Sequence, residues 1–99
     1  MFAEEKLNVI REYLKTKFPD YTVDEGYEFD HSAQTFRLRR RNKMHFVIIS
    51  EEFIDDREGS KIKTSLQKIP LKKYFHQEGV TCVIITNSSI RKMKGRTFK

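Results

Sequence analysis

The 99-residue sequence predicts one mixed α/β (α+β) domain, a single layer of four-stranded mixed sheet with helices packed on it, in the order helix, three strands, helix, strand. Three patterns lead to this prediction. Apolar residues first recur every three or four positions, which is the period of a helix with one buried side. They next alternate with polar residues, as in strands with one face in water. Later apolar runs at 46–49 and 83–85 indicate strands buried on both faces.

The first helix is predicted from apolar residues that are spaced three or four positions apart near the N-terminus. They are Ala3, Leu7, Ile10, Leu14 and Phe18. This spacing places all of them on one stripe of an α-helix. Pro19 follows directly and should end the helix, because proline has no amide hydrogen for the helical ladder.

The first two strands are predicted from alternating segments. Apolar and polar residues alternate over 21–30, and the alternation resumes at 35–41 after a polar segment, 31–34, that we expect to turn the chain. The polar side of the first strand is acidic, whereas that of the second carries arginines. The two segments are therefore expected to pair as a hairpin.

The second half of the chain is predicted to hold a third strand at 44–50, a helical connection and a fourth strand. Ser50 should cap a short acidic helical turn, and Ser60 should cap a second helix. Pro70 should break that helix, and Gly79 suits the position after a helix end. A helical connection makes the third and fourth strands parallel, with a right-handed crossover. The fourth strand, at 80–86, has two open positions, beside the first strand or beside the third, and we favour the first.

The domain is predicted to span residues 1–90, followed by a basic C-terminal tail at 91–99 that shows no usable period. The chain has a net charge of +6. Residues 91–99 contain five Lys or Arg and no acidic residue, which leaves +1 for residues 1–90. Two interpretations of the tail follow. It is an arm that binds nucleic acid or an acidic partner, or it is a frayed terminus that increases solubility.

The densest basic segment lies on the second strand. Side chains two residues apart project from one face at a spacing of about 7 Å, which is similar to the phosphate spacing along a nucleic-acid strand. Pairing with the acidic first strand is the alternative. One register sets Glu28 opposite Arg37 and Asp24 opposite Arg41, and a register two residues shorter sets Asp24 opposite Arg39. The candidate contacts for nucleic acid or a partner are Arg37, Arg39, Arg40, Arg41, Lys43, Arg91, Lys92, Lys94 and Arg96.

Several functional classes lack support in the sequence. No apolar run approaches the roughly 20 residues that span a bilayer. The charged N-terminal segment is unlike a signal peptide, and the single cysteine, Cys82, indicates a reducing cytoplasm. The three histidines are dispersed, and the chain has no glycine-rich phosphate loop. We therefore assign no metal, no cofactor, no membrane contact and no catalytic residue.

The order of predicted elements resembles the restriction-endonuclease-like core. Such nucleases need a carboxylate on one strand and a Glu-x-Lys or Asp-x-Lys tripeptide on the next, to hold a divalent metal and activate water. In this chain the second strand carries arginines and the third carries mostly apolar residues. The single Glu-x-Lys lies at residues 4–6. The similarity implies at most an inactive or degenerate relative.

Three hypotheses for function follow from the sequence. The first is a non-catalytic binding or adaptor module that recognises a protein partner through its sheet edges or its basic tail. The second is a nucleic-acid-binding domain that uses the arginine-rich strand and the tail. The third is the degenerate nuclease. The identity of the partner and the oligomeric state stay open.

Overall fold

A computed structural model of the chain describes residues 4–28, 32–75 and 79–94. It confirms the predicted mixture of helices with a mixed sheet. In chain order the elements are α1 (Glu4–Lys17), β1 (Thr22–Glu28), β2 (Ala33–Arg40), β3 (Lys43–Ser50), α2 (Glu51–Asp55), α3 (Gly59–Gln67), α4 (Leu71–Tyr74), β4 (Gly79–Ile85) and β5 (Ile90–Lys94). Within the described ranges, no helix is long and apolar enough to cross a membrane.

The strands form one sheet in the order β1-β2-β3-β4-β5. β3 and β4 are parallel, as predicted, and the other neighbouring pairs are antiparallel. The prediction that β4 lies beside β1 is wrong, because β4 pairs with β3. β3 and β4 are both apolar on both faces, so the interior of the sheet suits them. β1 has an acidic side and lies at an edge, where charged residues are tolerated.

The sheet has five strands where the sequence predicts four. Residues 90–94, which were assigned mostly to the tail, form β5 and pair with β4. A tight turn makes this possible: the Thr86 side-chain oxygen accepts hydrogen bonds from the backbone N–H groups of Ser88 (3.3 Å) and Ser89 (3.0 Å). Residues 86–89 therefore connect β4 to β5, which begins at Ile90. Residues 95–99 lie outside the described residues.

The described part of the connection between β3 and β4 contains three short helices, α2, α3 and α4. Ser50 caps α2 as predicted, because its hydroxyl accepts the N–H of Phe53 at 3.2 Å. The predicted break at Pro70 is also confirmed, since it separates α3 from α4.

Two predicted ends of helices in this connection are wrong. Ser60 lies inside α3, whose N-cap is Glu58 without a side-chain hydrogen bond. Gly79 begins β4, whereas the C-cap of α4 is Phe75. Gly79 pairs with Lys43, so the glycine is the first residue of β4. From there β4 runs beside β3 as far as the pair of Ile85 with Ile49.

The buried side chains fall into two clusters. The larger one joins residues from the helices to residues from the sheet: Ile10, Tyr13, Leu14, Phe18, Phe36, Leu38, Val47, Ile49, Phe53, Ile54, Ile62, Leu66, Ile69, Leu71, Phe75, Val83 and Ile85. The smaller one contains Ala33, Ile48 and Cys82, with Phe46 and Ile84 packed against it. Because neighbouring residues of a strand point to opposite faces, β3 supplies Val47 and Ile49 to the first cluster and Ile48 to the second.

His45 is a buried polar residue on β3, opposite Thr81 on β4. Its Nδ1 lies 2.5 Å from the Thr81 hydroxyl, its Nε2 lies 3.4 Å from the Tyr21 hydroxyl, and its ring stacks on Phe75 with the centroids 4.2 Å apart. Burial lowers the pKa of His45 to about 4, and the positive charge of Lys43 acts in the same direction. The neutral imidazole is therefore the form that the fold accommodates.

Acid should destabilise the protein through His45. The unfolded chain takes up a proton on His45 near pH 6.5, whereas the folded chain does so only near pH 4. The contribution of neutral His45 to the free energy of unfolding is therefore fully present above pH 6.5 and is lost as the pH falls. We expect a loss of about 1 to 2 kcal/mol of unfolding free energy between about pH 6.5 and pH 5. Urea unfolding across this range measures it. His45→Gln should have a flatter profile, and equal slopes in the two proteins would contradict the prediction.

Candidate nucleic-acid interface

The hairpin between β2 and β3 positions most of the predicted basic residues. Arg40 pairs with Lys43, so Arg41 and Asn42 form a two-residue turn. Arg41 has a φ of 52°, in the left-handed region that glycine or asparagine normally occupies in such turns. We call residues 39–43 the basic hairpin. An arginine at this turn position costs stability and projects a cation from the tip.

Asp24 on β1 pairs with the first two arginines of β2 and offsets part of their positive charge. It lies directly opposite Arg37, whose Nη2 is 2.9 Å from the Asp24 carboxylate, and Arg39 Nη2 lies 3.5 Å from the same oxygen. The hydrogen bond from Arg37 holds the pKa of Asp24 below its usual value, and the charge of Arg39 adds to the effect. Cross-strand charge pairing is therefore confirmed for these two arginines.

The predicted hairpin register is wrong. Asp24 lies opposite Arg37 rather than opposite Arg41 or Arg39, and Glu28 lies opposite Ala33. The sequence assigned residues 33 and 34 to the turn, but both are buried and belong to β2. Extending β2 towards its N-terminus shifts the pairing by an even number of residues, which keeps every side chain on its expected face.

Beyond Asp24, the basic hairpin borders an open cavity of about 810 Å³. Its lining residues are Asp20, Thr22, Arg39, Arg40, Arg41, Asn42, Lys43 and Met44. Four of these carry a positive charge and one a negative charge. The Arg40 guanidinium lies 6.0 Å from the centre of the Tyr21 ring, which holds the cation by a cation–π contact.

The topology brings further lysines to the end of the sheet where the hairpin turns, which we call the basic end. β5 runs towards this end and finishes at Lys94, which pairs with Thr81. The last turn of α4 contains Lys72 and Lys73, and Phe75 just beyond it stacks on His45. α1 also carries its last-turn lysines immediately before the chain enters β1 at this end.

Acidic residues lie at the opposite end of the sheet. β3 leads there into α2, whose residues include Glu51, Glu52 and Asp55. β1 finishes there at Glu28. Glu28 and the acidic residues of α2 thus lie at the end of the sheet opposite to the basic hairpin.

The predicted tail residues do not gather in one place. Arg91 is exposed on β5 but lies three residues before Lys94, a distance of about 10 Å along the strand and away from the basic end. Lys92 and Lys94 belong to β5, and Arg96 lies outside the described residues. Of the tail candidates in the described part of the chain, Lys94 comes nearest in the sheet to the basic end.

Sequence reasoning missed Asp20, Thr22 and Met44, which line the same cavity. They flank the start of β1 and of β3, so the observed register brings them beside the end of β2. A correct register would have identified the first two, because Thr22 pairs with Arg39.

The residues that the nuclease resemblance requires are placed as follows in the described part of the chain. β2 and β3 contain no carboxylate, and the Lys6 of the single Glu-x-Lys donates hydrogen bonds to the backbone oxygens of Ile54 and Asp55, both at 3.3 Å. Among the described residues, no three His, Cys, Asp or Glu side chains converge as metal ligands would. Burial raises the pKa of the Cys82 thiol to about 11, so it is protonated at neutral pH.

Comparisons with protein-family models, with curated proteins and with solved structures find no match to this chain.

Replacing Arg41 with asparagine should stabilise the protein. Asparagine adopts the left-handed conformation at lower cost than arginine, so we expect Arg41→Asn to raise the free energy of unfolding by about 0.5 to 1 kcal/mol. Chemical unfolding of both proteins measures the difference. Arg40→Asn, which removes the same charge at an ordinary φ, is the matched control and should not stabilise. Equal effects of the two substitutions would contradict the assignment of the cost to the turn conformation.

Proposed function

We propose that the protein is a small non-catalytic module that binds the phosphate backbone of nucleic acid through its basic hairpin. One observation carries this proposal: Arg39, Arg40, Arg41 and Lys43 border a single open cavity with Asp20 as its one carboxylate. Phosphate contacts from Arg and Lys supply most of the affinity of proteins that bind nucleic acid without strong sequence preference.

The shape of the site favours a polymer over a small anion. The four cations lie around the turn between β2 and β3, at one end of the sheet, and the cavity that they border is open rather than enclosed. An open basic surface can contact several phosphates of one chain, and an arginine can bind a phosphate with two nitrogens of its fork. The backbone of β5 also runs towards this end of the sheet and finishes at Lys94.

The proposal includes a cytoplasmic location, which the single buried cysteine supports. It also places the helices on one face of the sheet, because the larger core cluster contains side chains of both helices and strands. A second candidate function is the binding of a protein partner at the sheet edges. The opposite charges of the two edge strands favour it.

Neutralising the hairpin should weaken binding to nucleic acid. We expect Arg40→Gln with Arg41→Gln to lower the affinity for a random-sequence DNA duplex by about tenfold and the slope of log K against log salt by about 1.8. Fluorescence anisotropy of a labelled duplex over a salt series measures both quantities. Lys61→Gln with Lys63→Gln removes two exposed charges from α3 and serves as the control, which should retain the wild-type slope.

Two results would overturn the proposal. One is wild-type protein that shows no salt-sensitive affinity for duplex or single-stranded nucleic acid at low ionic strength. The other is an equal loss in the hairpin and α3 variants, which would indicate a diffuse effect of net charge.

Removing the competing carboxylate should strengthen binding. Asp24→Asn leaves Arg37 and Arg39 without their ionic partner, so both guanidinium groups become available to phosphate. We expect affinity to rise about three- to tenfold and unfolding free energy to fall by less than about 1 kcal/mol, as for an exposed ion pair. The same anisotropy titration, with Asp20→Asn for comparison, measures the gain. Unchanged or weaker binding of Asp24→Asn would show that these arginines do not reach the ligand.

A further inference from the structure

The two edges of the sheet are complementary to each other. β1 and β5 are the outermost strands of the sheet, so within the described part of the chain each has one side without a neighbouring strand. We propose that the β5 edge of one copy of this chain pairs with the β1 edge of a second copy, so that the sheet continues from one molecule into the next. This proposal does not rest on the proposed binding of nucleic acid.

The strand directions allow the sheet to continue without turning either molecule over. β1 and β3 run in the same direction, β4 is parallel to β3, and β5 is antiparallel to β4. β5 therefore runs opposite to β1. A second copy placed beside the first in the same orientation presents its β1 antiparallel to β5, which is the common pairing of neighbouring strands.

The charges of the edges are opposite. The charged residues of β1 are Asp24, Glu25 and Glu28, and those of β5 are Arg91, Lys92 and Lys94. Symmetrical pairing of two β1 edges would set acidic residues against acidic residues, and pairing of two β5 edges would set basic against basic. Like charges on facing strands destabilise a pair, whereas opposite charges contribute about 0.2 to 1 kcal/mol each. The mixed pairing is therefore the favoured one.

One register also matches the apolar residues. Tyr27 and Ile90 are the large apolar side chains that stand exposed in the described part of the chain, with 37% and 43% of their surface accessible. Both occupy the same transverse row of the sheet, which runs from Tyr27 through Gln34, Ile49 and Ile85 to Ile90. If the second copy keeps this row continuous, Ile90 faces Tyr27 of that copy.

The same register sets basic residues of β5 opposite or diagonal to acidic residues of β1. Counting from the Ile90–Tyr27 pair, Lys92 lies opposite Glu25, and Arg91 lies opposite Gly26. Arg91 then has Asp24 and Glu28 as diagonal neighbours, within reach of a long side chain. A Cβ at Gly26 would meet no atom within 4 Å, so the space beside this glycine can take the Arg91 side chain.

Intramolecular pairs at the β1 edge are compatible with this arrangement. Glu25 binds Arg11 on α1, and Asp24 binds Arg37 and Arg39. The Asp24 side chain keeps 43% of its surface accessible and that of Glu25 keeps 29%, so each carboxylate retains room for a second cation. The interface would thus extend existing ion pairs into small networks.

Sedimentation velocity of the full chain without nucleic acid tests the proposal. We expect reversible association that strengthens with protein concentration up to about 1 mM, because an interface of two short strands is at the weak end of known interfaces. Added salt should weaken it, because the attraction is between exposed charges.

Charge reversal identifies the edges involved. Glu25→Lys with Glu28→Lys makes both edges basic, and Arg91→Glu with Lys92→Glu makes both acidic. Each variant alone should associate at least about tenfold more weakly than the wild type, and a mixture of the two should associate again. Lys61→Glu with Lys63→Glu reverses two charges on α3 and should associate as the wild type does.

Backbone hydrogen exchange gives a second measurement that needs no variant, should one of them fail to fold. Amides of β1 and β5 should become protected as the wild-type concentration rises. The proposal is overturned if the wild type stays monomeric at low salt, if it associates without protection of both edges, or if the edge variants associate as strongly as the wild type.

Discussion

The parallel pairing of β3 with β4 is the constraint on which the rest of the structure depends. These two strands are apolar on both faces, and they lie inside the sheet, where each has two neighbours. His45 and Thr81 face each other across this pair and satisfy each other's buried polar atoms. Because the strands are parallel, the helical connection must return the chain to the end of the sheet where β3 begins. That end is also where the hairpin from β2 turns.

The separation of charge follows from this return. The chain leaves β3 into the acidic α2 at one end and re-enters the sheet at Gly79, opposite Lys43, at the other end. α1 has acidic residues in its first turn and lysines in its last, an arrangement that also compensates its helix dipole. A net charge of +6 thus understates the local field, because the fold gathers four cations around the turn between β2 and β3 and sets the acidic α2 at the other end of the sheet.

The sequence predicted the elements better than their arrangement. α1 and the alternation in β1 and β2 were recognisable because each buries one side with a regular period. The register was wrong because a shift of two residues leaves every side chain on the same face, so the alternation cannot distinguish Arg37 from Arg39 or Arg41 as the partner of Asp24. β5 was missed because an edge strand tolerates three basic residues in five. The arginine run was visible in the sequence, but the approach of Lys94 to the same end depends on β5.

Asp24 links the two surfaces proposed for this protein. It lies on the edge strand β1 and also holds two arginines at the start of the basic hairpin. An Arg91 from a neighbouring copy would compete for this carboxylate and release guanidinium groups towards phosphate. By linkage, nucleic acid that occupies Arg39 would in turn favour the neighbour.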